Sequence, residues 1–233
     1  MNSIVIVLVL VLVLLLFSMN NSKFGSSINL SDYIDHAYYI NLESRPDRKE
    51  QILREINRIG LNSTRINGIP EISGRGSLGC SKSHILALET FINSGHKNCI
   101  IFEDDFIFVR KIERVKTQFY RLFSNQVDYN LVMLEKGNSI SVRNDTYNFL
   151  LTSICTKHAA GYLITKEFAP ILLQNFKEGA ELLEQDYDNE IPHSQHKKHI
   201  LDHYWCKLQG ENKKWYIFNP IIGKQSGSQS NIR

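Results

Sequence analysis

The chain has 233 residues, enough for one buried core plus a short appendage, and its 42% hydrophobic and 22% charged content excludes a disordered chain. The net charge of +3 is small and the Lys and Arg residues are scattered, so no nucleic-acid partner is expected. Cys80, Cys99, Cys155 and Cys206 form no C-x-x-C pair, which argues against a zinc module or a small disulfide scaffold; one or two bridges remain open, unpaired by sequence alone.

Residues 4–17 are an unbroken apolar run, IVIVLVLVLVLLLF. A spanning helix needs about 20 such residues, whereas a shorter run is the usual core of a signal peptide. No basic residue precedes the run and no A-x-A-like cleavage site follows it, while Lys23 behind it works against a lumenal domain under the positive-inside tendency. Both readings stay open: a single-pass type II membrane anchor with a lumenal catalytic domain, or a cleaved signal and a secreted protein. The expected organisation is residues 1–19 as anchor or signal, 20–36 as a polar stem and 37–233 as the folded domain. Sequons at Asn20, Asn29, Asn62 and Asn144 agree with a lumenal location but add little in a chain so rich in Asn and Ser.

From residue 37, apolar runs of strand length alternate with helix-period segments. AYYINL (37–42) is a strand candidate, followed by a helix in which Ile52, Leu53, Ile56 and Ile59 share one face and Gly60 ends the run. A second helix spans 81–93. Strands follow at 98–102, 130–134 and 159–165, then helices at 166–176 and 201–208, and a last strand at 215–219. This alternation predicts an α/β domain with a mainly parallel sheet flanked by helices. Ligands in such sheets bind beyond the carboxyl ends of the strands, which directs attention to residues 41–48, 103–105 and 135 onward.

At the second of these places a buried strand runs into Glu103-Asp104-Asp105. Three adjacent carboxylates repel one another and are costly to desolvate without a counter-charge. In extended backbone Glu103 and Asp105 share a face and Asp104 points away, and oxygen ligands so spaced suit Mn²⁺ or Mg²⁺. The plainer reading is a solvated acidic turn. At the first place, NLESRPDR (41–48) reads as a strand end and helix start, with Ser44 as N-cap, Asp47 as its capping-box partner and Pro46 in the first turn. Arg45 and Arg48 oppose the helix dipole there unless an anion such as phosphate is bound; Arg48 could equally pair with Asp47 or Glu50 at the surface.

Together these segments make the chain resemble glycosyltransferase family 25. The resemblance rests on YYINLESRPDR (38–48), GSLGCSKSHILALE (76–89), CIIFEDDFIF (99–108), AAGYLI (159–164), Leu201-Asp202-His203, and Pro220, Gln225 and the Ser230-Asn231-Ile232 ending. It implies a GT-A type fold, a UDP-sugar donor, a divalent metal (Mn²⁺ or Mg²⁺), inversion at the anomeric carbon, and transfer of a hexose, galactose or glucose, to a hydroxyl of a glycan or glycoprotein acceptor. It further implies metal ligands at Glu103 and Asp105, with His203 as a possible third. Donor binding would fall to Asn41, Leu42, Arg45, Arg48, Gly79, Ser83, His84 and Gln225. His84 could instead cap and pack its helix, and Cys80 reads as a packed small side chain, since inverting transfer needs no covalent intermediate. The base that takes the acceptor proton is Asp202 by first choice, with an N-cap or a partner of His203 as its structural alternative; Glu135 is the reserve.

The chain departs from the family pattern at Asn231, where a carboxylate is usual, and it ends at Arg233; both features bear on activity more than on fold. Two other functions are compatible with the residues. One is a catalytically silent membrane-anchored relative that binds glycans or proteins. The other is a metal-dependent phosphohydrolase that draws a second metal cluster from the His-rich segment 191–203.

Overall fold

The computed structural model describes residues 28–70, 74–210 and 213–227, together with Val7. The remainder of the apolar segment 4–17, the sequon at Asn20 and the Ser230-Asn231-Ile232 motif lie outside the described residues. Among the described residues no helix is long and apolar enough to cross a membrane.

The strands are β1 (His36–Asn41), β2 (Ser63–Asn67), β3 (Asn98–Glu103), β4 (Phe106–Phe108), β5 (Leu131–Met133), β6 (Ser139–Arg143), β7 (Leu150–Thr156), β8 (Gly161–Thr165), β9 (Trp215–Phe218) and β10 (Gly223–Gln225). The helices are α1 (Pro46–Ile59), α2 (Gly76–Ile92), α3 (Ile112–Ser124), α4 (Ala169–Asp188) and two single turns, α5 (His193–His196) and α6 (Leu201–Tyr204). Eight strands form one sheet in the order β2-β1-β3-β8-β5-β9-β7-β6, and β4 pairs with β10 in a separate ribbon. Six of the eight strands point the same way, and β7 and β8 are reversed. The α/β expectation therefore holds, with reversed strands inside the sheet.

Alternation along each strand feeds two cores, one on each face. On one face Ala37, Tyr39, Ile100, Phe102, Val132 and Leu163 meet Ile52, Ile56 and Ile59 of α1 and Val115, Phe119 and Leu122 of α3. On the other face Tyr38, Cys99, Ile101, Met133, Tyr162 and Ile217 meet Ala87, Leu88 and Phe91 of α2, Leu172 and Phe176 of α4, and Trp205. The result is a three-layer arrangement of helices, sheet and helices.

Local chemistry sets the ends of the elements. α1 begins with Pro46 and stops at Gly60, whose left-handed φ of 76° lets its N–H reach the carbonyls of Ile56 and Asn57. Its N-cap residue is Arg45 rather than Ser44, and Asp47 is occupied by the Arg45 guanidinium at 2.9 and 3.0 Å, so the expected capping box does not form. α2 starts at Gly76, five residues ahead of its predicted start, and α4 runs on to Asp188. Residues 201–208 form α6 and then a 3-10 turn instead of one continuous helix. That segment is fixed to β7 by a disulfide between Cys155 and Cys206 and by the buried Gln209, whose Oε1 accepts from the Thr156 N–H at 2.7 Å and from Ser153 Oγ at 2.6 Å.

Candidate active site

The carboxyl ends of β1 and β3 lie side by side, because the two strands pair in parallel with Ile40 opposite Glu103. At the end of β1, Asn41 is buried and its Nδ2 donates to the Arg45 carbonyl at 2.9 Å and to Asp104 Oδ2 at 2.7 Å. Arg48, one turn into α1, is also buried and its Nη1 donates to Asp104 Oδ1 at 3.1 Å, with Asp105 Oδ2 at 3.7 Å. The surface pairing of Arg48 with Asp47 or Glu50 is thus replaced by a buried pairing with the acidic strand end. The chain turns after Glu103, so the extended alternation expected through the triplet does not continue: Asp104 and Asp105 lie in the turn between β3 and β4, and the Arg48 guanidinium faces both. Burial raises the Asp104 carboxyl above its usual range, and Asn41 and Arg48 only partly offset this.

Glu103 receives three side chains. His84 Nε2 donates to its Oε1 at 3.2 Å, the Cys80 thiol approaches the same oxygen at 3.6 Å, and Gln225 Nε2 donates to Oε2 at 3.3 Å. Burial would raise this carboxyl, but His84, Cys80 and Gln225 more than offset it and hold it below its usual range. His84 and Cys80 reach Glu103 together because they lie four residues apart on one face of α2. His84 is fully buried, with Nδ1 3.0 Å from the Tyr162 hydroxyl. Burial pushes the Cys80 thiol well up, so it is a poor nucleophile, in keeping with its expected packing role.

Asp105 has no comparable support. Its Oδ1 is buried without a hydrogen-bond partner, and burial, then the Glu103 charge, push its carboxyl up to about 7 against the opposing pull of Arg48. An orphaned carboxylate oxygen beside an ionised Glu103 is a donor set for a hard divalent cation, which takes one or two carboxylates and completes its shell from elsewhere. The residues present therefore fit Mn²⁺ or Mg²⁺ at Glu103 and Asp105. Among the described residues the tightest group of metal-ligating atoms is Cys80, His84 and Glu103, within 4.8 Å of one another, but its thiol and imidazole suit hydrogen bonding to Glu103 better than a hard cation.

Two cavities meet at this point. The first, about 300 Å³, is lined by Asn41, Leu42, Arg45 and Arg48 from the β1–α1 turn, by Gly79, Cys80, Ser83 and His84 of α2, and by Glu103, Asp104, Asp105 and Gln225. Ser83 is held in place by donating to the Gly79 carbonyl at 2.7 Å and accepting from the Ile69 N–H at 2.8 Å. Asn41 Oδ1 is buried without a hydrogen-bond partner in this wall. The second cavity, about 190 Å³, is lined by Ser77, Cys80, Glu103, His158, Ala159, Ile200, Leu201, Asp202 and Gln225. Cys80, Glu103 and Gln225 belong to both linings and mark where the cavities adjoin.

The eight residues expected at a donor site thus share the first cavity, and Asp202 stands in the second. Glu135 and His203 line neither cavity. Glu135 is buried at 2% exposure, and its Oε1 accepts from the Ala160 N–H at 2.9 Å. His203 lies by Asp202, Lys157, Lys197 and His193, where burial and the neighbouring cations depress its imidazole, and it makes no contact with Glu103 or Asp105 that would support a third metal ligand. Sequence reasoning missed His158. Its only signal was a histidine immediately before the AAGYLI strand, and nothing in the local pattern separates that from a loop residue.

Several solved structures resemble the chain loosely as a whole. A glycosyltransferase involved in glycosylation of the major capsid of PBCV-1 superposes with a TM-score of 0.47 at 11% identity, covering 84% of this chain and 94% of that one. A197 from STIV gives 0.42 at 11% identity over 78% and 81% of the two chains. A mannose-1-phosphate geranyltransferase from Thermus thermophilus gives 0.40 at 6% identity over 82% and 61%. At such scores these likenesses say nothing of this chain's chemistry. No curated protein matches the sequence. The family model described as glycosyltransferase family 25 (LPS biosynthesis protein) matches residues 70–188, just over half of the chain, from the turn before α2 through the acidic strand end to the end of α4. By that match, over the segment that supplies His84, Glu103 and Asp105, the chain belongs to glycosyltransferase family 25.

Proposed function

We propose that this glycosyltransferase moves a hexose, galactose or glucose, from a UDP-sugar to a hydroxyl of a glycan or glycoprotein, with inversion and with a divalent cation at Glu103 and Asp105. The observation that carries this reading is the junction of two unlike cavities at Cys80, Glu103 and Gln225. An inverting displacement needs the nucleophile and the leaving group on opposite sides of one carbon. A donor in the first cavity with its anomeric carbon at this junction, and an acceptor hydroxyl in the second, would meet that requirement.

The chain's own residues divide the work. Arg45 and Arg48 at the start of α1 give positive charge where a diphosphate would lie, and Asn41 Oδ1 and Ser83 offer polar contacts to the nucleoside. When bound, a divalent cation at Glu103 and Asp105 would offset the charge that develops on the departing diphosphate. His84, Cys80 and Gln225 fix the Glu103 carboxylate, so its geometry is set before any substrate arrives. Asp202 stands in the second cavity, on the acceptor side.

UDP release from UDP-galactose and UDP-glucose, with UDP binding measured by calorimetry in the presence and absence of Mn²⁺, tests the reading. Binding that depends on Mn²⁺ is expected, and Asp105→Asn should lower UDP release by about 100-fold while leaving the fold intact. A chain that binds no UDP with Mn²⁺ present would overturn it. Release of phosphate from simple phosphomonoesters would favour a hydrolase instead, although no metal-ligand cluster forms within 191–203 among the described residues. The Cys155–Cys206 bridge supports placing the domain in an oxidising compartment, with segment 4–17 as its membrane anchor or signal.

A further inference from the structure

The second cavity contains an arrangement that the donor-side reading leaves unused. His158 lies between β7 and β8 with φ of 84°, a left-handed conformation uncommon for a residue other than glycine. Two neighbours hold it there. Its backbone N–H donates to Asp202 Oδ2 at 2.8 Å, and its ring and the Lys157 carbonyl lie against Gly137, where a Cβ would come within 2.4 Å of that carbonyl and 2.8 Å of the imidazole. Room for the ring thus depends on a glycine across from it.

Behind the ring stands Glu135. One of its oxygens is fixed by the Ala160 N–H at 2.9 Å, and the other lies 3.9 Å from His158 Nδ1. That separation is too long for a hydrogen bond and becomes an ion pair only when the ring is protonated; contacts of this kind commonly tighten when substrate binds. The carboxylate is 3% exposed and the imidazole 36%, so the acid is sealed behind the ring while the ring reaches the cavity. With Nδ1 turned toward Glu135, Nε2 is the ring nitrogen left for a ligand.

We propose that His158 takes the proton of the acceptor hydroxyl and that Glu135 is the positioning residue that orients its ring. This rests on the transferase reading above. As the hydroxyl proton passes to His158 Nε2, the oxygen forms its bond to the anomeric carbon. The bond from that carbon to the diphosphate oxygen breaks, and its electron pair leaves with UDP. Glu135 stabilises the imidazolium, which returns its proton to water after product departs. Asp202 serves by holding the His158 backbone and by lining the acceptor side, since its Oδ2 is already engaged by the His158 N–H. The groups that face His158 are Glu135 at the end of β5, Asp202 on α6, Glu103 at the end of β3 and the Cys80 thiol across the cavity. Glu135 raises the imidazole above its usual range against the effect of burial, and Asp202 and Glu103 add to it.

The test uses the full chain with Mn²⁺ and UDP-galactose, with water standing in for the acceptor hydroxyl as nucleophile, reading UDP release across pH together with UDP binding. His158→Asn is the first variant, because Asn tolerates a left-handed backbone but offers no base. It should lose about 100-fold or more in UDP release with UDP binding unchanged. Glu135→Gln, which can still accept from the Ala160 N–H, should lower kcat and move the acid limb of the pH profile to lower pH, since the charge that raises the imidazole is gone. Release by His158→Asn within threefold of wild type overturns the proposal, and so does an unmoved acid limb in Glu135→Gln. UDP binding without UDP release in the wild type overturns it as well, while a wild type that binds no UDP removes the transferase reading itself.

Discussion

Burial, then the charges of Glu103, Asp104 and Glu135, push the Asp105 carboxyl from a usual 3.8 up to about 7, with Arg48 pulling the other way. The unfolded chain relieves all of this. Between about 4 and 7 the folded state therefore holds a proton that the unfolded state has released, and stability falls as pH rises through that window. Without a divalent cation the chain should accordingly melt at a lower temperature at pH 8 than at pH 5. Asp105→Asn should flatten that slope, and Mn²⁺ should restore stability at pH 8 for the wild type but not for the variant, all read by calorimetry. An identical slope in Asp105→Asn would remove Asp105 as its source. The i, i+2 spacing singled out Glu103 and Asp105 in the sequence, but the extended backbone it assumed ends at Glu103, and Asp104 and Asp105 both face Arg48. What Asp104 meets there was not legible, because Arg48 and Asn41 reach it from 56 and 63 residues away.

At the scale of elements, the ribbon of β4 and β10 brings Gln225 to the junction of the two cavities. Gln225 stands opposite Phe106 in this pairing, and it reaches Glu103 only because β10 lies flat on the Phe106 ring. That ring is fully buried between two glycines: a Cβ at Gly223 would meet it at 2.2 Å and one at Gly161 at 2.7 Å. Phe102 and Phe108 pack around it at 4.9 and 5.0 Å between ring centroids, so it has nowhere to retreat. Gly223→Ala should therefore cost about 1–3 kcal/mol in urea unfolding and lower UDP release by displacing Gln225. Unfolding and turnover both equal to wild type would show that the ribbon can slide. Neither β10 nor β4 was legible in the sequence: GKQ has no apolar run and FIF follows directly on the acidic turn, whereas the equally short β5 registered within the apolar NLVML. β2, with the polar sequence STRIN, and the β6–β7 hairpin were missed for a related reason: their pairing comes from neighbours in the sheet rather than from apolar period. The apolar strands β1, β3 and β9 and the helix α1 were legible because each buries a continuous face.

For the whole molecule, the alternation of strands and helices announced the three layers, whereas the second cavity is assembled from residues near 77–80, 103, 158–159, 200–202 and 225 and has no local signature. Its far wall depends on the Cys155–Cys206 bridge, which closes a loop with a sequence separation of 51 and ties the segment bearing Asp202 to β7. Trp205 Nε1 donates to the Thr156 carbonyl at 2.6 Å in the same seam, so the bridge reinforces a junction that also has buried hydrogen bonds. A crosslink of this span is worth about 2–4 kcal/mol, chiefly through the unfolded chain. Reduction should then lower the unfolding free energy by that amount, read as a lower urea midpoint, without abolishing the fold. The same bridge bears on location, because cytosolic thiols are kept reduced. If the domain faces an oxidising compartment, maleimide labelling of freshly lysed cells should modify neither Cys155 nor Cys206 until reductant is added. Cys80 and Cys99, half-buried and buried free thiols, should react only on unfolding. Ready labelling of Cys206 without reductant would place the domain in a reducing compartment and would leave segment 4–17 without its proposed role as a lumenal anchor or signal.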